Sequence, residues 1–144
     1  MYRTKKNKGF TLLEVIIVII IIGVLASLAL PRFLNTVEQS RAAEAFQSMS
    51  ALRGSMERCN LQTSNTFVGC TLGTLDVADP STAPNTHFTY TITGQTATQY
   101  TITATRNAFD GGNGTSRVIL AYDGAAIPPA PAITRTCDAP FSCR

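Results

Sequence analysis

The stretch that decides the fold is KGFTLLEVIIVIIIIGVLASLAL, residues 8–30. Between residues 10 and 30 the only charged side chain is Glu14, and nearly all the others are apolar. As an α-helix this segment would extend about 32 Å, which matches the roughly 30 Å hydrocarbon core of a bilayer. The sequence therefore predicts an apolar helix over residues 10–31 that is long enough to cross a membrane.

Positive charge is concentrated in the first nine residues of the chain. They hold four of the 12 basic residues and every lysine. After Gly9, eight arginines face nine acidic residues, so the formal charge of +3 belongs to the amino-terminal segment. DNA capture needs a basic surface on the folded body, and beyond the helix five aspartates outnumber the basic candidates. We therefore expect no specific nucleic-acid binding from these candidates, Arg106, Arg117, Arg135 and Arg144.

The apolar helix has three competing interpretations. A secretory signal peptide would be cut after Ser27-Leu28-Ala29, but Pro31 follows closely and Glu14 would be a costly defect in its apolar region. A plain membrane anchor accounts for the length and for the basic flank, which the positive-inside rule keeps in the cytoplasm. It leaves Glu14 unexplained, because a carboxylate inside hydrocarbon costs roughly 2.5–3.5 kcal/mol.

The third interpretation rests on a resemblance. Residues 8–14, KGFTLLE, and the apolar residues 15–30 closely resemble the class III leader and amino-terminal helix of type IV prepilins. This resemblance implies that a membrane-embedded prepilin peptidase cuts between Gly9 and Phe10 and removes the basic leader, residues 1–9. It also implies that Phe10 becomes N-methylated, and that the protein leaves the inner membrane to join a homo-oligomeric helical filament built by the pilus assembly machinery.

Glu14 can be assigned a role from its charge. Cleavage after Gly9 would free a positive amino group on Phe10, and this group can pair with Glu14 of a neighbouring subunit. Because a buried charge without a partner costs several kcal/mol, misplaced subunits would be penalised. We expect Glu14 to set the subunit register, the alternative being that its side chain merely reaches the lipid headgroups.

Gly23 and Pro31 are two weak points in the helix. Pro31 removes one backbone donor and clashes with the carbonyl group of Ser27, which predicts a kink. Gly23 costs about 1 kcal/mol relative to alanine. The segment between them is either an ordinary kinked helix or, as the resemblance to type IV pilins implies, a segment that melts and extends inside a filament.

From Arg32 to Cys59 the pattern becomes amphipathic. Apolar residues recur at steps of three and four, as expected for a helix with one buried face. The stripe consists of Ala42, Ala45, Met49, Leu52, Met56 and Cys59, flanked by Phe46. We expect the stripe to pack against a sheet, within one helix that runs from residue 10 to about residue 57.

The remaining residues predict a loop, a sheet and a tail. Glycines and prolines break residues 59–86 into a loop, and residues 127–144, with four prolines, predict an irregular tail. Apolar residues alternating with threonines predict strands at 87–93 and 99–105, and a third strand follows at 117–122.

The predicted fold class is therefore α+β. A long amino-terminal helix, half apolar and half amphipathic, packs against a small antiparallel sheet at residues 87–123. After the cleaved leader and the apolar helix, residues 32–144 form the globular domain, which is the layout of the pilin fold.

Four cysteines, Cys59, Cys70, Cys137 and Cys143, permit three pairings. Their spacings differ from the tight pairs of zinc sites, and export past a membrane places them in an oxidising compartment, so we expect disulfides. We favour the local pairing, in which Cys59 and Cys70 tie the loop to the helix end and Cys137 and Cys143 close the tail. A tail closed in this way is similar to the pilin pattern.

No catalytic set can be assembled from the sequence, so we expect a protein that is not an enzyme. The one histidine, His87, lies at the head of a strand and is expected to be an ordinary surface or core residue. Residues 110–113 lack the spaced acidic ligands of a calcium loop and predict a glycine-rich turn, without metal or other cofactor. Asn113-Gly114-Thr115 matches the glycosylation acceptor pattern.

The sequence thus predicts a structural subunit of a type IV pilus, or fimbrium, at the cell surface, of the kind that serves adhesion or twitching motility. One alternative is a pseudopilin of a type II secretion system. Another is a minor pilin with an adhesive or DNA-uptake role.

Overall fold

A computed structural model describes residues 10–125 and 132–143. The described residues contain α1 (Leu12–Gln62), a short 3-10 helix (Pro80–Thr82), β1 (Phe88–Thr93), β2 (Gln99–Arg106), β3 (Arg117–Asp123) and β4 (Ala132–Cys137). The predicted α+β class is confirmed. The predicted leader, residues 1–9, lies outside the described residues, as does Arg144. The chain divides into two compact units, one up to Thr36 and one from Val37 onward.

The first unit is the apolar part of α1. Thr11 caps its amino terminus, since the Glu14 amide donates to the Thr11 carbonyl oxygen at 3.1 Å and to its Oγ1 at 3.3 Å. The helix continues without interruption through Gly23 and Pro31, and the melting of this segment stays a prediction. The segment is long and apolar enough to cross a membrane, and none of it is buried within the chain.

The second unit is organised around the amphipathic part of α1. All members of the predicted apolar stripe are buried, and Ala45, Leu52 and Met56 are fully inaccessible to solvent. They form one core with the inward-facing residues of the sheet, which include Phe88, Tyr90, Tyr100, Ile102, Ala104, Val118 and Leu120. The helical period of the sequence therefore predicted this buried face correctly.

The sheet is an antiparallel meander in the order β1-β2-β3-β4. Its predicted alternation is confirmed, because apolar residues of β1 and β2 point into the core while threonines occupy the other face. On that face three pairs of threonines lie directly opposite each other across β1 and β2, namely Thr89 with Thr105, Thr91 with Thr103 and Thr93 with Thr101. Such cross-strand pairs stabilise the sheet in a fixed register.

The end of α1 differs from the prediction. The helix runs to Gln62, beyond the expected end near residue 57, so the predicted loop at 59–86 begins later. It ends there because Ser64 and Asn65 both adopt a left-handed backbone with φ near 61°. The Asn65 amide donates back to the Asn60 carbonyl oxygen at 2.9 Å, which satisfies one of the free carbonyl groups of the last turn.

The predicted irregular tail is wrong at Ala132–Cys137, which forms β4. This strand pairs with β3 from Asp123↔Ala132 to Val118↔Cys137. The four prolines of the tail precede or follow the strand, and none interrupts it. Because β4 is an edge strand with five exposed residues out of six, it lacks the apolar alternation that would have indicated it.

Candidate functional site

The first candidate surface is the apolar face of α1 near its amino terminus. Phe10, Glu14, Val15, Val18 and Ile19 line one shallow open groove. Phe10 is 83% exposed. Within the residues that the structure describes, Glu14 makes no ion pair. The surface thus offers apolar side chains and one free carboxylate on the side of the helix that carries Phe10.

A buried ion pair fastens the domain half of α1 to the sheet. Arg106 is 1% exposed, and its Nε and Nη2 donate to the two carboxylate oxygens of Glu38 at 3.0 and 3.3 Å. Arg41 also donates to Glu38, at 2.7 Å. Burial alone would raise the pKa of Glu38, but hydrogen bonds from Arg106 and Arg41 and their charges lower it below its ordinary value. Arg106 is therefore a structural cation and not a residue of an outer basic face.

His87 has carboxylates on both sides. Its Nδ1 lies 2.7 Å from Oε2 of Glu44, its backbone amide donates to Oε1 of Glu44 at 3.1 Å, and its Nε2 lies 3.7 Å from Oδ2 of Asp110. Burial would raise the pKa of Glu44, but the hydrogen bonds from His87 and Thr86 lower it overall. The contacts join the start of β1 and the turn at Asp110 to α1, a positioning role that the sequence did not reveal.

The loop after α1 is held by a disulfide and an ion pair. The bonded cysteines are Cys59 with Cys70 and Cys137 with Cys143, which is the local pairing. Asp76 accepts from Arg58 Nε at 2.5 Å and Nη2 at 2.8 Å, and also from the Ser55 hydroxyl. These hydrogen bonds lower the pKa of Asp76 to about 2.

The glycine-rich turn at residues 110–113 is built from its own polar groups. The Asn113 side chain accepts from the amides of Thr115 and Ser116 at 3.0 and 2.9 Å and donates to the Ser116 hydroxyl at 2.6 Å. The described residues contain no group of three or more His, Cys, Asp or Glu side chains placed to hold a metal ion. The Asn113 amide of the glycosylation pattern is thus engaged inside the turn.

These features define a class of protein. An apolar helix with one carboxylate, unburied within the chain, continues as an amphipathic helix that covers a small antiparallel sheet. One disulfide closes the loop after the helix and the other closes the tail. Two family models match the chain. Residues 4–30 match the prokaryotic N-terminal methylation motif. Residues 31–116 match the family described as type IV minor pilin ComP, DNA uptake sequence receptor. The chain belongs to this family of type IV pilins.

Similar proteins include both fimbrial and secretion components. The type IV major fimbrial protein FimA of Dichelobacter nodosus is 34% identical over 92 residues, covering 62% of this chain and 58% of FimA. The type II secretion system core protein G of Escherichia coli is 41% identical over 61 residues, 42% of each chain. A probable minor fimbrial protein of Dichelobacter nodosus is 45% identical over 65 residues, covering 45% of this chain and 40% of that protein.

The chain spans about half the length of the relatives it matches. No solved structure matches it.

Proposed function

We propose that this chain is a structural, non-catalytic subunit of a type IV pilus. In this proposal prepilin peptidase removes residues 1–9 after Gly9, and Phe10 becomes the N-methylated terminus. The precursor resides in the inner membrane through its apolar helix. The assembly machinery then packs that helix with copies of itself in an extracellular filament.

The observation that carries the proposal is the apolar half of α1, none of which is buried within the chain. Each large aliphatic side chain gains about 1.5–3 kcal/mol on leaving water. A run of such residues is therefore not stable in water and requires lipid or other helices. Membrane residence before assembly and helix packing afterwards meet that requirement in turn.

Glu14 tests the proposal because it is unfavourable in lipid and useful in a filament. We expect Glu14→Ala to be cleaved and inserted like the unaltered chain but to yield few filaments, as counted by electron microscopy of sheared surface material. Glu14→Asp is the matched control, since it keeps the carboxylate. Normal piliation by the alanine variant would contradict the charge-pairing role.

Processing has its own readout, the mass of the mature amino terminus. An N-methylated phenylalanine at position 10 supports the proposal. An unmodified initial methionine would indicate a plain anchor, and cleavage after Ala29 would indicate a secretory signal peptide.

A pseudopilin role is an alternative that the similarity to the secretion core protein favours. It differs in its product, because a pseudopilin at native expression levels should leave no long surface fibres. Microscopy of sheared material from cells with and without the gene therefore separates the two roles.

A second candidate function is DNA capture, which the description of the matched family favours and the charge distribution of the sequence does not. Of the arginines considered for that role, Arg106 is buried and Arg117 pairs with Asp138 at 3.0 Å. Arg135 is exposed on β4. Sheared filaments incubated with DNA duplexes at rising salt test it: retention that falls steeply with salt supports capture, and no retention at low salt excludes it.

A further inference from the structure

The domain contains a small cleft with two arginines, of which Arg135 was named above as a candidate for DNA capture and Arg53 was not. Its lining consists of Phe46, Met49, Ser50, Arg53, Leu120 and Arg135, and its volume is about 60 Å³. We propose that this cleft binds a single phosphate group, with Arg53 and Arg135 as cationic ligands and the Ser50 hydroxyl as a further donor.

The fold brings the lining together from two directions. The four residues from α1 follow the three- and four-residue spacing of one helix face. Leu120 on β3 and Arg135 on β4 are partners in the strand register. Paired residues share a face of the sheet, so Arg135 lies on the same face as the buried Leu120. Phe46, Met49 and Leu120 supply apolar walls beside the two cations.

Among the described residues from Val37 onward, the two arginines of the cleft differ from the other four in their partners. Four arginines have a carboxylate oxygen within 3.0 Å, namely Arg41, Arg58, Arg106 and Arg117. The nearest carboxylate oxygen to Arg53 is that of Glu57, at 3.6 Å. Arg53 Nε is buried and has no hydrogen-bond partner among the described residues. Over the same residues Arg135 makes no ion pair, and the one ion pair of Arg53 is its longer, partly exposed contact with Glu57, so the cleft has less carboxylate around its cations than the other arginines of this unit have.

Phosphate fits this arrangement better than a lone carboxylate. Guanidinium groups present planar pairs of donors that match phosphate oxygens, and the pairing gains strength beside apolar walls. Phosphate has enough oxygens to accept from two guanidinium groups and a hydroxyl at once. An inward-facing charge on an edge strand also discourages strand-to-strand aggregation, which accounts for Arg135. It does not account for Arg53, whose buried Nε has no hydrogen-bond partner among the described residues.

The test uses the full mature chain in detergent, titrated with inorganic phosphate at constant ionic strength and followed by calorimetry and by the NMR signals of arginine Nε. We expect saturable binding that shifts the Arg53 signal. Arg53→Gln and Arg135→Gln should each weaken binding about tenfold, the loss expected for one charge-assisted hydrogen bond. Arg32→Gln is the matched control, because it removes an exposed cation outside the cleft and should leave the affinity unchanged.

Three outcomes would overturn the proposal: no saturable binding, equal weakening by Arg32→Gln, or equal affinity for acetate. Arg135→Lys guards against misfolding, since it keeps the charge and loses the planar fork, and it should still weaken phosphate binding.

A DNA duplex in a parallel titration identifies the source of the phosphate group. Duplex binding that the two glutamine variants weaken assigns the phosphate to a nucleic-acid backbone, and phosphate binding alone assigns it to a free anion.

Discussion

Glu38→Gln tests the ion pair that fastens α1 to the sheet. The change removes the charge that faces Arg106, whose Nε and Nη2 lie 3.0 and 3.3 Å from the two carboxylate oxygens. Removing one partner of a buried ion pair costs about 3–5 kcal/mol. Backbone carbonyl groups of His87, Asn107 and Asp110 also accept from Arg106 and remain in the variant. We therefore expect a loss at the low end of that range, about 3 kcal/mol.

Urea unfolding of the mature chain in detergent, followed by tyrosine fluorescence, measures this loss. Tyr90, Tyr100 and Tyr122 all lie in the sheet and report on its packing. With a slope of about 1–3 kcal/mol per molar urea, the midpoint should fall by at least about 1 M. Glu57→Gln is the control, because its exposed contact with Arg53 should contribute less than about 1 kcal/mol. Equal losses in the two variants would refute the assignment of Arg106 as a buried, carboxylate-dependent cation.

Three further predictions concern the same domain. The pKa of Asp76 is lowered from 3.8 to about 2, so its contribution to the free energy of unfolding is present above pH 4 and is lost as the pH falls toward 2. Asp76→Asn should therefore flatten the profile of stability against pH between these values, as measured by urea unfolding. Gly112→Ala places a Cβ 2.0 Å from a backbone carbonyl oxygen and should lower the thermal midpoint, whereas Gly73→Ala, with open space around it, should not. Replacing Cys59 and Cys70 by serine should cost roughly 3 kcal/mol by urea unfolding, as the chain-entropy estimate for a loop of this length gives, and an unchanged midpoint would contradict it.

Periodicity predicted the elements that bury one face. The stripe from Ala42 to Cys59 repeats at helical spacing, and Tyr100, Ile102 and Ala104 alternate at strand spacing, so both faces could be assigned from local sequence. The strand β4 escaped prediction because an exposed edge strand buries almost nothing on either face. The last turn of α1 escaped because Asn60, Leu61 and Gln62 carry no stop or start signal, and the helix ends only at the left-handed residues that follow.

The ion pairs of the domain could be predicted only in part. Arg106 continues the inward alternation of β2, so its burial was open to prediction from strand period alone. Its partner Glu38 is 68 positions away in the sequence, and Glu44 is 43 positions from His87. Contacts at such separations arise from the way α1 covers the sheet, which the local pattern does not contain. Without the partner Glu38, the sequence predicts Arg106 as a surface cation.

Under the proposed function, the two halves of α1 obtain their stability from different sources. The half that follows Val37 buries its stripe within its own domain, whereas the apolar half buries none of its side chains within the chain. Lipid tails are as apolar as leucine, so a helix that moves from lipid into a bundle gains little hydrophobic free energy. Close packing and charge pairing must therefore favour the filament. Glu14 adds to this preference, because its cost of roughly 2.5–3.5 kcal/mol in hydrocarbon is relieved only when a positive partner arrives. This is why a variant without the carboxylate should enter the membrane readily and assemble poorly.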